Sequence, residues 1–165
     1  MSRSGEPDEE ELQSRFESFV GGQTALVLAV DAPDGAPPVI GTLPFVRHGG
    51  AFFVLASDLA PHTPAMLATG VASVALMADQ ADTRNPFARE RAQWQATVGE
   101  IGRDTAAFEA VTTELRRCHG QTVDLLCGLG DFHLVALEPG EGRYVSGFGR
   151  AYRLSGFSVG TQLRG

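Results

Sequence analysis

The stretch AFFVLASDLAPHTPAML (residues 51–67) decides the fold, because its pattern changes from that of a strand to that of a helix. Its first six residues, Ala51–Ala56, form a short apolar run that is typical of a buried β-strand. Thr63 is a favoured N-cap residue, and Pro64 suits the first position of a helix. We therefore predict a strand followed by a short helix, Pro64–Thr69.

Further strand patterns lie on both sides of this stretch. Thr24–Val30 and Val39–Val46 precede it, with turn-rich segments between the three strands, which predicts two successive antiparallel hairpins. Val71–Met77 and the long strand Arg89–Ile101 follow it. The remaining strands are predicted at Phe132–Leu137, Gly142–Gly147 and Ala151–Leu154.

Helical patterns are few. An N-terminal amphipathic helix has Pro7 at its first position, a second helix is capped by Asp104, and a short helical piece covers Val123–Cys127. Single strands do not alternate with long helices, which excludes a parallel βαβ sheet. We predict a mainly β protein, an antiparallel barrel with peripheral helices. We expect residues 1–165 to form one domain, with an N-terminal helix (1–20), the barrel (23–155) and a tail (156–165).

Composition excludes several classes of protein. The 165 residues include 20 acidic and 13 basic ones, a formal net charge of −7, so the chain lacks the basic balance of a nucleic-acid binder. No apolar run approaches the ~20 residues of a membrane-spanning helix. The N-terminus has no apolar signal-peptide core, and two cysteines do not make a disulfide framework, so we expect a cytoplasmic protein.

Arginine supplies all 13 basic residues, and two arginines form a candidate anion site. Strand alternation places Arg89, Arg91, Gln93, Gln95 and Thr97 on one face. Neighbours on one face lie about 6.5–7 Å apart, close enough for two guanidinium groups to hold one phosphate. The alternative is a solvent-exposed strand face with no ligand.

The start of the short helix is a second candidate anion site. The free backbone N–H groups of a helix start attract anions, and Ser57, His62 and Thr63 could add side-chain donors. The alternative is simple helix capping by Thr63. The four histidines show no metal-ligand spacing, so we predict no metal site, and no catalytic residue is assigned.

Four segments together resemble a known family. They are AFFVLASDLAPHTPAML, NPFARERAQW, the run from Val-Asp-Leu-Leu (123–126) to Asp-Phe-His-Leu (131–134), and GRYVSGFGRAYRL (142–154). With this spacing, over residues 20–155, the chain resembles the pyridoxamine 5′-phosphate oxidase-like split barrels. Within them it is most similar to the haem-utilisation branch, which includes haem-binding and haem-degrading proteins.

The resemblance implies a six-stranded split barrel and a homodimer with two ligand sites at the interface. In flavin-binding relatives this interface holds FMN. The implied FMN-phosphate residues are Ser57, His62, Thr63, Arg89 and Arg91, and the implied residues along the isoalloxazine are Thr42, Pro44 and Phe45.

The chain departs from the family's pattern in two ways. Haem-degrading relatives carry an axial histidine beyond the Gly-Phe-Gly motif, whereas no histidine follows His133 here, so haem would need His62 or another ligand. The Arg-x-His element of the pyridoxamine-phosphate oxidases is also missing, so vitamin B6 oxidation is not supported. The leading hypothesis is an FMN-dependent oxidoreductase of unknown substrate. The alternatives are a haem-binding protein using the same pocket and a cofactor-free dimer.

Overall fold

The computed structural model describes residues 8–163 of the chain. The helices within that range are α1 (Glu9–Gly21), α2 (His62–Thr69), α3 (Ala106–His119) and α4 (Thr122–Cys127). The strands are β1 (Ala25–Val30), β2 (Val39–His48), β3 (Ala51–Ser57), β4 (Val71–Met77), β5 (Arg91–Ile101), β6 (Phe132–Gly147), β7 (Arg150–Ser155) and β8 (Ser158–Gln162). None of these described helices is both long and apolar enough to cross a lipid bilayer.

Six of the strands close into an antiparallel barrel. They lie in the order β3-β2-β1-β4-β5-β6, and β3 pairs again with β6 to complete the circle. The first half of β6 pairs with β3 and its second half pairs with β7, which in turn pairs with β8. The predicted mainly β fold with a six-stranded antiparallel barrel is confirmed.

Alternating side chains fill the barrel, and α1 closes it. Phe52 and Trp94 meet inside with ring centroids 5.3 Å apart. Phe16 of α1 is fully buried, and its ring packs edge-on against Tyr144 at 5.0 Å. The apolar side of the predicted amphipathic N-terminal helix is therefore part of the barrel core.

Helices cover one outer side of the barrel and leave another exposed. Phe108, Val111 and Leu115 of α3 pack in a second apolar cluster with residues of β2, β3 and β6. By contrast, Ile40, Val71 and Met77 on β2 and β4 are 71%, 55% and 41% exposed. We call the outward side of β2, β1, β4 and β5 the outer sheet face.

The start of α2 differs from the prediction. The helix begins at His62. Just before it, the chain forms a turn in which the backbone N–H of Ala60 donates to the carbonyl of Ser57 (3.0 Å). Thr63 therefore lies inside the first turn and does not cap the helix with its side chain. A turn that begins at Ser57 overrides the local capping preference of Thr63.

Two other elements also begin at a different residue from the predicted one. The N-cap of α3 is Thr105, not Asp104, because the Thr105 hydroxyl accepts from the backbone N–H of Phe108 (3.1 Å). The strand predicted from Arg89 begins at Arg91, because the preceding residues form a 3₁₀ turn. Pro7 lies outside the described residues, and α1 is capped by Asp8.

The C-terminal strands are longer than predicted. The two strands expected within residues 132–147 form the single strand β6, which shifts register opposite Trp94–Ala96. Gly142 is required at this irregularity, because a Cβ there would lie 2.3 Å from the carbonyl oxygen of Gln93. The segment 156–165, predicted as a tail, contains β8.

Candidate ligand-binding site

The loop between β3 and α2 is fixed to the start of β6. The Ser57 hydroxyl donates to Oδ2 of Asp131 (3.0 Å) and accepts from the backbone N–H of Leu59 (3.2 Å). The backbone N–H of Asp58 donates to the carbonyl of Asp131 (2.8 Å). A phosphate that bound Ser57 would therefore have to displace the Asp131 carboxylate.

His62 and Thr63 are buried at the end of the barrel, with 9% and 0% of their surface exposed. Nε2 of His62 and Oγ1 of Thr63 have no hydrogen-bond partner within residues 8–163. The imidazole lies against Gly41, where a Cβ would be 2.5 Å from Nδ1. Burial lowers the pKa of His62, so the ring is neutral at neutral pH.

Arg89 and Arg91 lie far from α2 within one chain. Nε of Arg89 donates to the carbonyl of Ala78 (2.7 Å), and Nη1 of Arg91 donates to the carbonyl of Arg89 (2.9 Å). Ser57 pairs with Phe132 at the start of β6, and Leu134, two residues later, pairs with Ile101, the last residue of β5. Arg91 is the first residue of β5, ten residues from Ile101, or about 33 Å along the strand. One chain therefore does not bring the arginine pair and the α2 loop together.

Several other residues that the sequence predicts to bind a cofactor lie together on the outer sheet face. A row of cross-strand partners runs over six strands, through Thr42, Val27, Ala75, Gln93, Arg143 and Arg153. Pro44 lies opposite Ala25, and Arg91 lies opposite Met77. Thr42, Pro44 and Arg91 therefore share one face, which is apolar across β1 and β4.

Phe45 lies on the other side of β2. Its ring is buried in the barrel and packs edge-on against Phe52, with ring centroids 5.1 Å apart. Its carbonyl oxygen is 2.8 Å from Nε2 of His119. The side chain of Phe45 therefore supports the core, unlike the exposed side chains of Thr42 and Pro44.

The other histidines have separate surroundings. His133 lies between two carboxylates, with Nδ1 2.6 Å from Oε1 of Glu100 and Nε2 2.8 Å from Oδ1 of Asp58. His48 is exposed at the end of β2 and contacts the ring of Phe53. Within residues 8–163, no group of three or more His, Cys, Asp or Glu side chains could hold a metal ion.

Sequence reasoning missed a cavity on β5, β6 and β7. It has a volume of about 390 Å³, and its wall includes Arg143, Arg153, Gln93 and Gln95. Arg143 and Arg153 are direct cross-strand partners. Arg143 and Arg153 each lie five residues from Phe148, at the turn of the β6–β7 hairpin. This symmetry is the sequence signal that could have identified the pair.

The comparisons with known proteins agree with the observed architecture. No family model matches the chain. The chain superposes on Campylobacter jejuni ChuZ with a TM-score of 0.84 at 22% identity, over 93% of this chain and 63% of ChuZ. It superposes on a pyridoxinephosphate oxidase family protein from Clostridium acetobutylicum with a TM-score of 0.66 at 12% identity, over 90% and 96% of the two chains. These likenesses show the fold, a split barrel like that of the pyridoxinephosphate oxidase family protein.

A relative with a similar sequence identifies the branch of these split barrels to which the chain belongs. The heme oxygenase HutZ of Vibrio cholerae is 32% identical over 152 residues, which cover 90% of this chain and 86% of HutZ. The crystal structure of HutZ, the heme storage protein of Vibrio cholerae, has a TM-score of 0.73 at 27% identity, over 78% and 89% of the two chains. The chain therefore belongs to the haem-utilisation family of split-barrel proteins.

Proposed function

We propose that the protein binds haem in haem utilisation, and that the haem lies on the outer sheet face. The observation that carries this proposal is a broad, uncovered apolar face with Arg91 on it. Haem is a flat apolar ring with two carboxylates, so it requires apolar contact for the ring and cations for the carboxylates. The relative named as a heme oxygenase supports the same ligand.

The outer sheet face fits the ring and the carboxylates of haem, but it offers no axial histidine. The chain's four histidines lie elsewhere: His62 inside the barrel end, His119 on the carbonyl of Phe45, His133 between carboxylates, and His48 at the β2–β3 turn. His62 would have to leave Gly41 to reach a ligand on this face. Haem on this face would therefore be held by apolar contact with the sheet and by Arg91 on one of its carboxylates, and no histidine of this face would contact it.

FMN, the leading cofactor in the sequence analysis, has less support from the contacts. Ser57 is already bonded to the Asp131 carboxylate, which would repel a phosphate. His62 and Thr63 are buried. These contacts favour the haem alternative over an FMN-dependent oxidoreductase.

We further propose a homodimer in which a second copy covers the outer sheet face. Exposed apolar side chains on this face, such as Ile40 and Val71, favour a covering partner. Arg91 lies at the start of β5 and the loop between β3 and α2 lies near its end, so a site that used both would need two chains. An isologous interface supplies this combination twice.

A spectroscopic titration tests the proposed ligand. We expect haem added to the purified protein to give a saturable Soret band, and FMN to give no spectral change. Val27→Glu places a carboxylate in the middle of the outer sheet face and should weaken haem binding at least about tenfold, or about 1.4 kcal/mol.

Thr161→Glu, an exposed position on β8, is the matched control and should bind haem like the wild type. Equal haem affinity in both variants would contradict the proposed face. A wild type that binds FMN and not haem would support the flavin alternative, and one that binds neither would support the cofactor-free dimer.

A further inference from the structure

Arg143 on β6 and Arg153 on β7 face each other directly on the outward side of the sheet. Like charges at directly opposite positions destabilise an antiparallel pair. Neither guanidinium group makes an ion pair or a hydrogen bond with any residue in the range 8–163. By contrast, four other arginines, Arg15, Arg47, Arg116 and Arg117, each form an ion pair with an acid.

The space in front of this pair is a cavity with a polar wall. Its volume of about 390 Å³ is far more than the roughly 10–15 Å³ that one bound water requires on the same measure. Gln93 lies directly beside Arg143 on β5, and Gln95 adds an amide that donates to the Ser73 hydroxyl (3.0 Å). The cavity therefore has room and neutral hydrogen-bonding groups for a small polar ligand.

One acid also lines the cavity. Glu141 is on the same face, two residues before Arg143. Its carboxylate forms no ion pair with either arginine within the part of the chain that the structure describes. Two cations against one anion leave the wall with a positive excess.

We propose that Arg143 and Arg153 bind an oxyanion, the carboxylate or phosphate group of a small ligand. Two guanidinium groups can hold one oxyanion through charge-assisted, bidentate hydrogen bonds. The anion also removes the repulsion between the two arginines. The pair ends the row that begins at Thr42, so an acidic ligand lying on the outer sheet face can place its anionic group in this cavity.

Calorimetric titration with inorganic pyrophosphate tests the oxyanion site without haem. We expect the wild type to bind, and Arg143→Gln and Arg153→Gln each to weaken binding at least about tenfold. Arg84→Gln, outside the cavity, is the control and should bind like the wild type. In anion-free buffer, Arg143→Gln should keep or raise the Tm because the repulsion is gone, whereas a merely structural role for Arg143 would lower it.

Haem and haem dimethyl ester, whose carboxylates are blocked, distinguish the source of the anion. If haem carboxylates bind here, the two variants weaken haem binding and leave ester binding unchanged. If a free oxyanion binds, only pyrophosphate binding changes. Variants that match the wild type towards both probes would overturn the site. A wild type that binds no haem would instead overturn the proposed function, and pyrophosphate would still decide the oxyanion site.

Discussion

The Nδ1 atom of His133 lies 2.6 Å from Oε1 of Glu100, and this contact joins β6 to β5. Nε2 of the same ring lies 2.8 Å from Oδ1 of Asp58, just after β3. A neutral imidazole has only one N–H group, so only the protonated ring donates to both carboxylates. Glu100, and secondly Asp58, therefore raise the pKa of His133.

This raised pKa predicts that His133 stabilises the fold most at mildly acidic pH. Its folded pKa lies above the unfolded value of about 6.5, so the stabilisation is fully present below that pH and is lost as the pH rises through the folded pKa. Both carboxylates are half-exposed, which limits the effect to about 1 kcal/mol or less. Urea unfolding of the wild type and His133→Gln, from about pH 5.5 to 8.5, measures it. A stability difference that does not change with pH would contradict the prediction.

Gly41 is predicted to be irreplaceable because of His62. A Cβ at position 41 would lie 2.5 Å from Nδ1 of the imidazole and 2.7 Å from its Cε1. The buried ring has to move, so Gly41→Ala should lower the free energy of unfolding by about 1–3 kcal/mol. Adding His62→Ala removes the clash, so the double variant should lose less stability than the sum of the two single variants. Denaturant unfolding of all three measures this coupling, and additive losses would contradict the clash.

The barrel was predictable because its signals are local. Apolar runs and turn residues mark each strand, and the alternation around Trp94 correctly predicts that Arg91, Gln93 and Gln95 face outward. The closing β3–β6 pairing joins segments about eighty residues apart, so no local pattern reveals its register. Only the predicted barrel fold implied that β3 and β6 pair.

The candidate site was less predictable, because it depends on register and burial. Thr63 has the residue type of an N-cap, yet packing at the barrel end buries it inside α2. Ser57 has the residue type of a phosphate donor, yet its hydroxyl donates to the carboxylate of Asp131, which immediately precedes β6. The Arg143–Arg153 pair needs the exact partners across β6 and β7, which the sequence patterns did not assign.

We predict that Tyr144 stabilises the packing of α1 on the barrel through its hydrogen bond to Glu90. Its buried hydroxyl donates to Oε1 of Glu90, which also accepts from Nε of Arg15 on α1 (3.1 Å). Burial, with Glu90, raises the pKa of Tyr144, so the hydroxyl remains a donor at neutral pH. Tyr144→Phe should cost about 1.5–3 kcal/mol of unfolding free energy, as for a hydrogen bond to a charged group.

Tyr152→Phe is the matched control for this loss, because the Tyr152 hydroxyl makes no hydrogen bond within residues 8–163. Both tyrosines are buried, so the comparison isolates the bond to Glu90 from the burial of the ring. Denaturant unfolding of the two variants measures how much unfolding free energy each one loses. Equal losses would show that the contact with Glu90 contributes nothing.

The proposed homodimer predicts that one exposed apolar side chain matters and another does not. Val71 is 55% exposed on the outer sheet face, and Leu125 is 67% exposed on α4, away from that face. A stable interface buries at least about 1,000 Å² and does not tolerate an unpaired carboxylate buried within it. Val71→Asp should therefore sediment as a monomer at micromolar concentration, whereas Leu125→Asp and the wild type should sediment as dimers. A monomeric wild type would overturn the homodimer, and a dimeric Val71→Asp variant would move the interface to another face of the barrel.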